Sequence, residues 1–195
     1  MGLSRFALGW VLVCWFLFAA RLLQNHIRVR RERGSEASGE REHDLRAPLS
    51  MLGLLLEGLA LFVILTWRRS LSAAPAWAAP LSIAASAISL WFASEAVFHL
   101  GRQWRIKAVV TRDHELVTSG PYALVRHPIY LALLGMACST AVLITAWPGI
   151  VLALAIYIAG TEIRVRAEDG ILRQRFCGAF EAYKSRVPAY LPFLR

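Results

Sequence analysis

Two short stretches of this sequence gather residue types that bind ligands at a helix boundary. The first is His114-Glu115-Leu116-Val117-Thr118-Ser119-Gly120-Pro121-Tyr122, followed at once by Arg126-His127-Pro128-Ile129-Tyr130. A Gly-Pro turn and a second proline interrupt the backbone where one helix ends and the next begins, so peptide groups that a continuous helix would satisfy are left to bond a ligand. The second stretch, Arg164-Val165-Arg166-Ala167-Glu168-Asp169, concentrates charge again further along the chain. Each has a plainer reading. Arg126 and His127 stand just ahead of an apolar run and could only anchor it to headgroups. Arg164 and Glu168 are i, i+4 and could be an exposed ion pair, while the adjacent acids Glu168 and Asp169 point in different directions and are no acid/base pair by spacing alone.

The elements that must position these residues are apolar. Of 195 residues 57% are hydrophobic and 18% charged, with a mean hydropathy of +0.48, which excludes an ordinary soluble domain. Five runs read as spans: Phe6 to Leu23, Leu49 to Trp67, Trp77 to Leu100, Ile129 to Trp147 and Pro148 to Ile163. The first is expected to be an uncleaved span rather than a signal peptide, because Phe18-Ala19-Ala20 is a poor cleavage site. Residues 24–48 mix both charge signs with Gly and Ser and read as a solvated linker, partly helical at the membrane surface. The second and third runs form a hairpin around Pro75, and the last two form a tighter one at Trp147-Pro148-Gly149. From Arg164 to Arg195, Ile171, Leu172, Arg175, Phe176, Ala179, Phe180 and Tyr183 recur at helical spacing, predicting an amphipathic helix that Val187-Pro188 stops. The fold class is therefore all-α: an integral membrane helical bundle of about five transmembrane helices plus a C-terminal amphipathic cytoplasmic helix. The sequence does not signal internal repeats or strand-rich segments.

The net charge of +9 is one-sided. In the five-span arrangement 19 of the 22 Lys and Arg fall with the linker, the 101–128 loop and the tail, leaving Arg5, Arg68 and Arg69 on the other side. The loop contributes Arg102, Arg105, Lys107 and Arg112, beside Asp113. The positive-inside rule then places both motif stretches at the cytoplasmic face and the N-terminus outside. The same clusters account for the basic charge by contact with membrane lipids, so no nucleic-acid partner is expected. Cys14, Cys138 and Cys177 form no C-x-x-C pair, and no metal site is expected. Glu57, Glu95 and Glu162 lie in apolar runs, where acids are costly. Glu95 and His99 are i, i+4 and can pair; Glu162 adjoins the second motif; Glu57 needs a polar partner.

Taken together, G-P-Y-x-x-x-R-H-P-x-Y, two spans' worth of residues, and R-x-x-x-E-(E/D)-x-x-L-x-x-x-F resemble the isoprenylcysteine carboxyl methyltransferase family and its relatives among phospholipid methyltransferases. The resemblance runs from about His114 to Pro192. Asp169 stands where that family more often has a second Glu, Cys177 where Gly usually follows the Phe, and Phe180 where Tyr is common. The resemblance implies an S-adenosyl-L-methionine pocket lined by His114, Leu116, Val117, Gly120, Pro121, Tyr122, Arg126, His127, Pro128, Tyr130 and Glu168, and Glu162, which precedes the tail motif at the same face, is placed at its margin. It also implies a lipid-like or prenylated acceptor arriving from the bilayer; Arg164, Glu168 and Arg173 are the candidate catalytic residues, and their tail position makes Arg164 or Arg173 the arginine that would hold an acceptor carboxylate. The cofactor's ammonium, carboxylate and hydroxyls ask for an acid as well as Arg and His donors, which these residues supply. Residues 1–100 would form N-terminal transmembrane helices with the cytoplasmic linker, and 101–195 the methyltransferase core. The expected location is a bacterial inner membrane, with the site facing the cytoplasm. A phospholipid N-methyltransferase, an NADPH-dependent isoprenoid or sterol reductase and a non-catalytic membrane scaffold remain as alternatives, and oligomeric state is left open.

Overall fold

The computed structural model describes residues 2–34, 45–46, 49–101, 109–110 and 115–191. His114 lies outside the described residues, as do Arg102, Arg105, Lys107, Arg112 and Asp113 of the motif loop and residues 35–44 of the linker. Five α-helices carry the fold: α1 (Gly2–Gly34), α2 (Leu49–Thr66), α3 (Ala78–Leu100), α4 (Pro128–Ile144) and α5 (Trp147–Lys184). All but α4 are long and apolar enough to cross a bilayer. At 17 residues, α4 is about 25 Å long and runs between the same two ends of the bundle. The chain is an all-α integral membrane bundle, as expected. Extended pairing among the described residues is limited to a two-residue antiparallel ribbon, β1 (Leu45–Arg46) with β2 (Val109–Val110), and a single bridge between Arg68 and Thr145. The ribbon ties the linker to the motif loop, and nothing in the residue pattern announces it.

Two boundaries differ from the sequence reading. Helix α1 continues through residues 24–34, since the Arg- and Glu-rich stretch contains good helix formers and no breaker before Gly34. Helix α5 joins the last span to the tail, because no proline occurs between Pro148 and Pro188. From Trp147 to the non-helical Cys177 its roughly 30 residues amount to about 45 Å against a hydrocarbon core of about 30 Å, so the charged stretch beyond Ile163 projects from one end of the bundle. The chain then turns back and brings Lys184 to 3.5 Å from Asp169. The stretch from Arg164 to Phe176 thus continues the last span, and a second helical segment follows the kink at Cys177.

Buried residues repeat every three or four positions on each helix: Ala7, Val11, Cys14 and Phe18 on α1; Gly53, Glu57, Ala60 and Ile64 on α2; Ser82, Ser86, Ser89 and Ala93 on α3. Most are small, as expected where lipid tails offer helices no hydrophobic reason to associate and close backbone approach must supply the attraction. On α2 and α5, Gly53 and Gly160 meet so closely that a Cβ on Gly160 would lie 2.7 Å from the Gly53 carbonyl. Between α3 and α4, the Ser82 hydroxyl donates to the Ser139 carbonyl at 2.8 Å. Trp15 of α1 donates to Thr140 of α4 at 3.0 Å. Leu3, Phe6, Leu12, Phe16 and Leu23 of α1 remain exposed, as residues facing lipid do.

The end of the bundle away from the motifs is tied by backbone. Arg69 N–H donates to Ile144 O at 2.8 Å and Ala146 N–H to Trp67 O at 2.9 Å. The Thr145 hydroxyl donates to Ile64 O at 2.9 Å. The α2–α3 connection and the α4–α5 turn are therefore one assembly, which sets the depth at which α4 and α5 reach the opposite face.

Inside α5 the helix kinks at Cys177, whose φ of 45° and ψ of −121° are non-helical. Glycine enters that half of φ/ψ space at no steric cost, whereas a Cβ does not. The Cys177 side chain is exposed, so its removal costs little packing. Cys177→Gly is expected to stabilise the detergent-purified protein by about 1 kcal/mol, read as a rise in thermal midpoint. A fall would show that the thiol contributes more than the backbone strain it imposes.

Candidate active site at the α4–α5 membrane boundary

The two motif stretches meet. Pro128 occupies the first turn of α4, where its missing N–H costs nothing, and His127 is the residue before the helix. The backbone ahead of it is held by the tail: Arg126 N–H donates to Pro188 O at 2.9 Å and His127 N–H to Ala189 O at 2.8 Å. The Gly120–Ala123 turn lies beneath, with Gly120 at φ 59° against the His99 ring, where a Cβ would overlap the imidazole. Its buried Tyr122 carbonyl accepts the Tyr183 hydroxyl at 2.6 Å. Burial pushes the Tyr122 phenol well above its ordinary range, leaving it a neutral wall.

Asp169 is the hub. Its Oδ2 accepts from Arg126 Nη2 at 2.9 Å and lies 3.5 Å from Lys184 Nζ, while Oδ1 is 3.0 Å from His127 Nε2. The other ring nitrogen of His127, Nδ1, is 3.5 Å from Glu168 Oε2. An imidazole with a carboxylate on each nitrogen satisfies both only as the doubly protonated cation. Burial alone would lower the His127 pKa, but hydrogen bonds and charge from Asp169 and Glu168 outweigh it and hold the value above the ordinary one. The Tyr130 hydroxyl donates to Glu168 Oε1. The Tyr130 ring stacks on His127 with centroids 5.5 Å apart and planes 8° from parallel. Arg164 places its guanidinium carbon 4.3 Å from the centre of the same Tyr130 ring.

Most of the candidate residues gather here, and a few stand apart. Tyr122, Arg126, His127, Pro128, Tyr130, Arg164 and Glu168 form one cluster. Leu116 and Val117 are half-buried in the irregular stretch before Gly120 and Pro121. Glu162 lies at the margin, accepting the Tyr190 hydroxyl at 2.9 Å and pairing with Arg166 at 3.3 Å. Burial, reinforced by that bond to Glu162, pushes Tyr190 up to about 12. Arg173 is exposed and pairs with Glu181 at 2.5 Å across the Cys177 kink. Arg164 does not need Glu168 as its i, i+4 partner, since it pairs with Glu57 of α2 at 2.5 Å. Glu95 and His99 do approach, at 3.9 Å. Sequence reasoning left Asp169, Lys184, Tyr183, Tyr190 and Glu57 outside the site. The available signal for Asp169 was charge matching, since Arg126-His127 and Glu168-Asp169 are adjacent pairs of opposite sign.

The profile of the isoprenylcysteine carboxyl methyltransferase family matches residues 79–174. Over that segment the chain is similar to this family. The match contains Arg126, His127, Tyr130, Glu168 and Asp169, whereas Tyr183, Lys184 and Tyr190 lie beyond it. Among curated relatives, the cobalt-zinc-cadmium resistance protein CzcN of Cupriavidus metallidurans is 36% identical over 124 residues, 60% of this chain and 52% of that protein. The nickel-cobalt-cadmium resistance protein NccN of Alcaligenes xylosoxydans xylosoxydans is 34% identical over 100 residues, 49% of this chain and 45% of that one. A protein-S-isoprenylcysteine O-methyltransferase of Schizosaccharomyces pombe is 31% identical over 83 residues, 43% of this chain and 35% of the yeast protein. The chain thus covers roughly half or less of the length of these relatives. Among the described residues, no three His, Cys, Asp or Glu side chains are grouped to hold a metal ion.

Asp169 and Arg126 are buried together, with side chains 8% and 7% exposed. Asp169→Asn leaves the guanidinium without its counter-charge and is expected to cost about 3–5 kcal/mol, seen as loss of folded protein from detergent extracts. A protein of wild-type thermal stability would remove Asp169 from its central place. The raised pKa of His127 also sets a direction with pH. Stabilisation from the imidazolium is complete below the ordinary value of about 6.5 and is lost as pH rises through the higher folded value. Melting curves should therefore show wild type losing its advantage over His127→Asn on the alkaline side of about pH 6.5, and an advantage that grows there contradicts the assignment.

Proposed function

We propose that the protein is an S-adenosylmethionine-dependent methyltransferase that methylates a carboxylate on a lipid-like, isoprenylcysteine-type acceptor at the cytoplasmic face of the membrane. The observation that carries this reading is the state of Glu168. Of the two adjacent acids, Asp169 is enclosed and spent on Arg126, His127 and Lys184. Glu168 is fixed by Tyr130 and His127 yet 23% exposed. A carboxylate that is both oriented and reachable suits a ligand ammonium. Arg126 Nε is buried without a partner, and such a donor suits a ligand carboxylate or hydroxyl. The residues present therefore fit the cofactor. Glu168, with Tyr130 and His127 behind it, would hold its amino-acid end, and Leu116, Val117 and the Gly120-Pro121-Tyr122 turn would flank the remainder.

When bound, S-adenosylmethionine supplies a methyl group made electrophilic by its sulfonium. The chain's residues then have a positioning task. A carboxylate acceptor is ionised at neutral pH and needs no base, whereas an amine would need one. Arg164 is the better placed of the two candidate arginines to hold the acceptor, since Arg173 is exposed and engaged with Glu181. Alignment of bound reactants can supply about 7–11 kcal/mol of the barrier without further chemistry. The apolar surface of the surrounding helices gives a prenyl or acyl chain a route from the bilayer to the site. The concentration of Lys and Arg at the motif end supports the cytoplasmic orientation.

The test is transfer of a labelled methyl group from S-adenosylmethionine into a membrane lipid extract, with the product identified by mass. Glu168→Gln is expected to lower transfer about 100-fold while membrane insertion stays normal, the scale of a lost positioning contact. Full activity in that variant would end the site assignment, and a base-stable methylamine product would reassign the acceptor.

A further inference from the structure

Glu57 lies on α2, outside both motifs and outside the family match at 79–174. An acid in the middle of a span is costly in lipid and calls for a reason. Its side chain is buried; Oε1 accepts from the Thr161 hydroxyl at 3.1 Å and Oε2 from Arg164 Nη1 at 2.5 Å. The Gly53–Gly160 contact one turn away brings α2 close enough to α5 for this reach.

The partner it holds has a competing option. Arg164 and Glu168 are one turn apart on the same helix, where opposite charges pair readily. Glu168 is the carboxylate assigned above to the ligand ammonium, so an arginine folded onto it would occupy the site. In the structure the guanidinium is instead drawn to α2 and lies over the Tyr130 ring, while Glu168 keeps the Tyr130 hydroxyl and the His127 nitrogen. We propose that Glu57 is a positioning residue for ligand binding: it holds Arg164 away from Glu168 and so keeps that carboxylate available to a cationic ligand group. Helix α2 thereby contributes to the site without touching the ligand. This rests on the reading of Glu168 as the cofactor-binding acid.

The experiment measures the Kd of S-adenosylhomocysteine for the full-length protein in detergent by calorimetry, well below its melting temperature. Glu57→Gln keeps the shape and the Thr161 contact but surrenders the charge. It is expected to weaken binding about tenfold, the scale of a charge-assisted hydrogen bond lost to a competitor. Adding Arg164→Gln removes the competitor, and the double variant is expected to recover most of that loss. Additive weakening in the double variant overturns the proposal, because a purely structural role for Glu57 predicts no such rescue. If Glu57→Gln does not accumulate, Thr161→Val, which frees one oxygen of Glu57 at nearly constant volume, should weaken binding in the same direction, and an unchanged Kd overturns the proposal equally. Failure of the wild type to bind removes the functional reading and this inference together, whereas tight wild-type binding with no change on Glu57→Gln removes this inference alone.

Discussion

Asp169 carries negative charge at a position that water scarcely reaches, and much of the site follows from neutralising it. An ionised carboxylate taken out of water is tolerated only when hydrogen-bonded and paired. Its partners come from separate stretches of chain: Arg126 and His127 just before α4, and Lys184 at the end of α5. Satisfying one acid therefore fastens the start of one helix to the middle and the end of another. The tail then crosses back to pair through Pro188 and Ala189 with the backbone of Arg126 and His127, which removes the freedom a proline-broken helix start would otherwise have. Glu168, the next residue back, is left on the rim of this structure, oriented by groups whose own positions are already set.

The second buried pair repeats the logic one layer deeper. Glu57 and Arg164 meet between α2 and α5, where lipid offers neither of them solvation. Their contact depends on the glycine crossing beside it, so backbone packing and charge pairing support each other. The tied far end of the bundle has a related effect. By joining the α2–α3 connection to the α4–α5 turn, it fixes the relative depth of α2 and α5, and hence the register in which Glu57 faces Arg164 rather than the apolar turn next to it. Arg164, placed over Tyr130, passes that order to the ring whose hydroxyl holds Glu168.

Much of this was readable in advance where the physics is local. Spans two and three were placed to within a residue, because continuous apolar runs and a Pro-containing turn leave little choice. The broken start at His127-Pro128 and the concentration of charge at Arg164 to Asp169 were legible as chemistry-bearing segments, and the structure brings them together. Other features were not. The ends of α1 and the union of the last span with the tail were misplaced because charge was read as a boundary, although Arg and Glu propagate a helix well. Adjacent acids on a helix diverge, so spacing alone gives Asp169 no role beside Glu168. The consequence of that divergence is two separate roles, one enclosed and one reachable. At Cys177 the departure from the family's glycine was visible, but the positive φ that makes it matter was not.

By itself the sequence determined the class of solvent, the number and approximate bounds of the membrane helices, and which side of the bundle carries the charged motifs. Each of these depends on hydrophobicity, on proline geometry or on charge counting within a short window. Only the tertiary structure decided which acid meets which base. Arg164 could have paired with Glu168 one turn away and instead takes Glu57 from a helix more than a hundred residues earlier. That choice depends on how closely two glycine-bearing helices approach and at what depth, quantities that arise from packing the whole bundle and that no local pattern encodes.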